Sequence, residues 1–81
     1  MPFMLIESPI YRGQKASLSR ASRLVVRLVE ADIAEDPSLD KRRRPTDQGT
    51  IVDQSAEDLL VEYIVVADKI VLLRVYDLRS V

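Results

Sequence analysis

The chain has no cysteine, no histidine and no tryptophan, and only one phenylalanine and two glycines among its 81 residues. Without cysteine there is no disulfide framework and no thiolate metal site. Without histidine the commonest general base and the commonest metal ligand are both missing. Two glycines cannot make a glycine-rich phosphate loop, and no nucleophile elbow is present. No apolar run approaches the roughly 18–20 residues of a membrane-spanning helix. The opening MPFMLIESPIYRG lacks the basic start and long apolar stretch of a secretory signal. A cytoplasmic protein with no cofactor, no metal and no membrane partner is the expectation. A hard-cation site from Asp47, Asp53, Glu57 and Asp58 is conceivable, but their spacing matches no known loop.

What is present is globular in kind: 47% hydrophobic and 31% charged residues exclude a disordered chain. Residues 1–81 fit one domain, which at this size buries only about 60–65% of its unfolded surface. The net charge of −1 hides an asymmetry. Residues 1–44 carry nine Lys/Arg against six Asp/Glu, or +3; residues 45–81 carry three against seven, or −4. A general nucleic-acid binder would be basic throughout.

Phe3 to Ile6 can form a short strand. Ser8 is a good N-cap and Pro9 a good first helical residue, since Pro has no N–H to lose there, so a helix is expected over about Pro9–Leu18. A stronger helix is expected over Ser19–Glu35, where Ala21, Leu24, Val25, Leu28, Val29 and Ile33 recur at steps of three and four. Pro37 stops it. The stretch 36–50, DPSLDKRRRPTDQGT, reads as a loop, followed by a short strand at Gly49–Val52 and a turn at DQSAED. Two strong strands close the chain, about Leu59–Val66 and Ile70–Tyr76. Ala67-Asp68 is a poor two-residue turn, because type I′ geometry wants Asn or Gly, so a longer loop including Lys69 is also open. The order predicts an α+β fold: a small, mainly antiparallel sheet of three or four strands with both helices on one face.

Three stretches resemble the RelE/ParE toxins of bacterial type II toxin–antitoxin systems: FMLIESPIYRGQKASL, LVEADIAEDPSLDKRRRP and LLVEYIVVADKIVLLRVYDLRS. The first is similar to the family's opening strand and helix start, the second to its helix end and basic loop. The third is similar to its closing hairpin, with Arg74, Val75–Tyr76 and Arg79 at the end of the last strand. The resemblance implies an antitoxin peptide or protein as partner. It further implies a topoisomerase as target if the chain is ParE-like, or RNA if it is an mRNA-cleaving RelE-like enzyme. In that second case Arg42–Arg44, Arg74 and Arg79 would hold phosphate and Tyr76 would transfer a proton. The sequence departs from the ribonuclease pattern, because Thr50–Glu62 has four acids and no basic residue. A RelE/ParE-like toxin component or a catalytically degenerate relative, acting by protein binding, is therefore the first expectation. A homodimerisation module without toxin activity is the structural alternative.

Each candidate has a plain counterpart. Lys41, Arg42, Arg43 and Arg44 could contact phosphate, or could be a solvated loop balancing Glu35, Asp36 and Asp40. Arg74, Tyr76 and Arg79 could recognise an anion, or could be an arginine paired with Glu62 or Asp77 beside a rim tyrosine. Glu57–Asp58 has no context to separate the two acidities. The hairpin is apolar on both faces. The helices can cover one face, which leaves Leu60, Ile64, Val66, Val71 and Leu73 as a candidate protein interface with Arg79 at its rim.

Overall fold

The structure, a computed structural model, describes residues 3–35 and 42–80, with Arg42, Arg43 and Ser80 described by backbone alone. Strand β1 (Met4–Glu7) leads into helices α1 (Pro9–Ala16) and α2 (Arg20–Glu35). Strands β2 (Arg42–Thr46), β3 (Gly49–Ala56), β4 (Leu59–Val66) and β5 (Lys69–Asp77) follow, and a 3-10 turn spans Leu78–Ser80. The sheet order is β1-β5-β4-β3-β2. The β2–β5 meander is antiparallel, and β1 lies parallel to β5 with Leu5 opposite Ile70. The fold is α+β with both helices on one face, as expected, but the sheet has five strands rather than three or four.

Helix α1 starts as the sequence implies. Ser8 Oγ accepts from Tyr11 N at 3.1 Å, and Pro9 occupies the first turn. The same hydroxyl donates to Leu73 O at 3.0 Å, and Ser8 N donates to Leu72 O at 3.0 Å. Further along, Gln14 Oε1 accepts from Val75 N at 2.9 Å. β1 pairs β5 only as far as Leu72. The cap and first turns of α1 thus satisfy backbone groups of β5 that a longer edge strand would otherwise have taken.

The core lies between the helices and the sheet. Tyr11, Val26, Val29 and Ile33 from the helices meet Val52, Leu59, Val61, Tyr63, Ile70, Leu72 and Val75 from the strands, all buried. Strict alternation from Ile70 and Leu72 would bury Arg74 and Tyr76 as well. A bulge prevents this: Tyr63 pairs with Leu72 but Glu62 pairs with Arg74, so one extra residue, Leu73, is inserted in β5. Beyond it Val75 takes the core side, and Arg74 and Tyr76 turn away from the helices.

Three local expectations are corrected. Residues 42–46 of the expected loop form an edge strand. Pro45 is tolerated there because an edge residue needs no outward N–H, and cationic edges resist pairing with other chains. β3 runs on through Asp53–Ala56, since polar residues can alternate out of a half-covered strand, and only Glu57-Asp58 turns. The strands join at Ala67-Asp68 as expected, through a two-residue turn and not the longer loop, with Val66 paired to Lys69 and Ala67 at φ 55°. Helix α1 ends at Ala16, where Ser17 N bonds back to Gly13 O and Gln14 O, and does not reach Leu18.

Candidate protein-binding face of the sheet

Because β4 is central and flanked on both sides, its register fixes which side chains stand together on the helix-free face. Ile64 lies opposite Val71 of β5 and Ile51 of β3, and Val71 lies opposite Ile6 of β1. An unbroken apolar row, Ile6–Val71–Ile64–Ile51, therefore crosses four strands and ends at Arg44 on β2. Val66 and Ile6 are each 40% exposed, and Leu60, Ile64, Val71 and Leu73 are half-buried with no helix above them. The five residues expected at an interface, Leu60, Ile64, Val66, Val71 and Leu73, fall on this face.

A second row beside it is charged. Asp53, Glu62 and Arg74 stand opposite one another across β3, β4 and β5. Two carboxylates side by side need a counter-charge, and Arg44 supplies it: its Nη2 lies 2.9 Å from Glu62 Oε2 and 3.5 Å from Asp53 Oδ1. Arg44 is thus a paired residue of the sheet surface rather than a free loop cation. Arg42 is opposite Asp53 in register, and Arg43 opposite Val52. Lys41 lies outside the described residues.

Arg74 Nη1 donates to Tyr76 Oη at 3.4 Å, a long contact, and this bond is the first cause of the raised guanidinium pKa. Arg79 is elsewhere. Its guanidinium bonds Asp77 at 3.2 and 3.3 Å and Ser22 Oγ at 3.0 Å, and stands 3.7 Å from Asp58. The Asp77 carboxyl is held below its usual range chiefly by the hydrogen bond from Arg79. Arg79 therefore ties the C-terminal turn to the start of α2 on the helix side, and the expectation that it rims the open sheet face is corrected. The three residues expected to act together are divided, with Arg74 and Tyr76 on one side and Arg79 on the other.

Asp47 precedes β3, and Glu57 and Asp58 follow it, so they stand at opposite ends of a strand, roughly 25–30 Å apart at strand rise. Among the described residues no group of three or more carboxylates converges on a metal-sized space.

One polar cluster escaped the sequence reading. Lys15 Nζ bridges Glu7 Oε2 at 2.7 Å and Glu30 Oε2 at 2.9 Å, and Tyr11 Oη donates to Glu30 at 2.6 Å. Burial opposes the charge on Lys15, but its bonds to the two glutamates outweigh that and raise its pKa. Burial, then the bond to Glu30, raises the Tyr11 hydroxyl as well. The sequence signal was the Tyr11–Lys15 spacing on one helix face; nothing local indicated that Glu7 and Glu30, 23 residues apart, would meet there.

No protein-family model and no curated protein matches the sequence. The fold does have a match. It is similar to a chain in the crystal structure of the toxin–antitoxin complex RelBE2 from Mycobacterium tuberculosis, with a TM-score of 0.74 and 16% identity, over 95% of this chain and 99% of that one. The chain has a RelE-like toxin fold.

Proposed function

We propose that the protein is the toxin component of a toxin–antitoxin pair, or a catalytically degenerate relative of one, and acts by binding protein. The observation that carries this reading is the likeness to a chain of a toxin–antitoxin complex along almost the whole length of both chains. The helix-free face supports it: an apolar row bordered by paired charges suits a polypeptide laid across a sheet. The antitoxin is the partner assigned to that face, and a topoisomerase is the target class for a non-enzymatic member.

The same face argues against RNA cleavage. A cleaving site must place uncompensated positive charge where negative charge grows on phosphate. Here Arg44 is engaged by Glu62 of the central strand and Asp53 of its neighbour. One observation favours the ribonuclease alternative, namely that Arg74 and Tyr76 do share the open face and touch. The test is inducible expression in a bacterial host, with and without the product of any small reading frame found adjacent to this gene, together with an mRNA-cleavage assay on purified protein with ribosomes. Growth arrest relieved by the neighbour, without cleaved mRNA, is the expected result. Cleavage lost in Tyr76→Phe would establish the alternative, and no arrest in any host would remove the toxin reading.

A further inference from the structure

The outer surface of α2 shows a feature that the core does not require. Val26, Val29 and Ile33 point into the core, yet Leu24 and Leu28 on the opposite side are 55% and 73% exposed. Ala21 and Ala31 are exposed on the same stripe. The series 21–24–28–31 has the 3-4-3 spacing of a coiled-coil seam, and the alanines at its ends would let a second helix approach closely. At 100° per residue Arg20, Arg23 and Arg27 all fall on one flank of this stripe. All three are exposed, and none makes a side-chain hydrogen bond or ion pair with the described residues. The acids that might have neutralised them are engaged elsewhere: Glu30 with Tyr11 and Lys15, Asp32 with Gln54.

We propose that the outer face of α2 docks an amphipathic helix of a partner protein, one with leucine-like side chains on its seam and carboxylates along the flank that meets Arg20, Arg23 and Arg27. The charge pattern selects this occupant. A second copy packed antiparallel through the same stripe would set Arg27 against the Arg27 of its partner, and like charges across a seam oppose pairing. The surface is distinct from the helix-free sheet face and does not depend on the toxin reading.

The test uses the full chain and two labelled synthetic 18-residue helices with the same leucine seam, one flanked by glutamate and one by lysine. Fluorescence anisotropy should show the glutamate helix binding at least tenfold tighter at low salt. Leu24→Gln with Leu28→Gln should abolish binding without changing the circular dichroism spectrum. Arg20→Glu with Arg27→Glu should reverse the preference toward the lysine helix. Equal binding of the two helices, or an unchanged preference in the charge-reversed protein, would overturn the proposal. So would a concentration-dependent dimer abolished by Leu28→Gln, which would make the occupant a second copy. Tighter binding to phosphatidylserine-containing vesicles than to the glutamate helix would also overturn it, in favour of a membrane surface.

Discussion

Both faces of the β4–β5 hairpin carry a row of aliphatic side chains, and the two rows have opposite fates. On one, Leu59, Val61, Tyr63, Ile70, Leu72 and Val75 are buried beneath the helices. On the other, Leu60, Ile64, Val66 and Val71 are equally aliphatic and lie open or half-open. Hydrophobicity alone does not separate core from surface in a chain this small. The difference comes from what each row meets: the first row meets two amphipathic helices, the second ends among Arg44, Glu62, Asp53 and Arg74. The apolar row with a charged border has no helix over it, whereas the buried row is sealed beneath two.

Substitution is the direct way to break this comparison. Leu72→Ala, which leaves a cavity under the helices, should cost about 2–5 kcal/mol of stability, whereas Ile64→Ala should cost less than about 1 kcal/mol. Urea unfolding monitored by circular dichroism measures both. Equal losses would mean that the second face is packed as tightly as the first.

Gly49→Ala comes next in size. Gly49 has φ 150°, and a Cβ there would lie 2.5 Å from the Val65 carbonyl oxygen, so backbone of β3 or β4 must move. A loss above about 1 kcal/mol is expected in the same unfolding measurement. Because Gly49 adjoins the Ile51–Ile64 pair, this variant also tests whether the open row depends on the β3–β4 register.

The helix side has its own polar weak point. Lys15→Met leaves Glu7 and Glu30 facing each other without a cation and should cost about 1–3 kcal/mol. The folded pKa of Lys15 is raised, so its contribution is complete below the usual lysine range and is lost as pH rises through that higher value. The wild type should therefore lose an increment of stability at strongly alkaline pH that Lys15→Met lacks. The smallest effect belongs to the exposed Arg79–Asp77 contact. The Asp77 pKa is lowered, so its contribution is present above the usual carboxylate range and fades as pH falls through the folded value. Asp77→Asn should flatten the acid limb of a stability-against-pH curve only slightly.

Much of this arrangement was legible in the sequence. The 3.6-residue rhythm of Ala21–Ile33 marked α2, Ser8-Pro9 marked the start of α1, and the aliphatic density of 59–76 marked the hairpin. What the residues concealed was long-range. Arg42–Thr46 has a loop's composition and becomes a strand only because β3 offers it an edge. The bulge at Leu73 is set by pairing with β4, not by anything local to VLLRV, and it decides where Arg74 and Tyr76 face. Arg79 looked like a partner of Arg74, but Asp77 and Ser22 hold it on the other side of the molecule.

The account rests on the helix-free face being a recognition surface, and a single comparison tests that most directly. The wild type and Ile64→Lys are each titrated with the proposed antitoxin, sought as the product of a reading frame adjacent to this gene, by isothermal calorimetry, with melting temperatures recorded alongside. The account predicts that Ile64→Lys loses at least about a hundredfold in affinity, roughly 2.7 kcal/mol, while its melting temperature stays within about 4 °C of the wild type. Undiminished affinity, or a melting temperature that falls as far as that of Leu72→Ala, would contradict it.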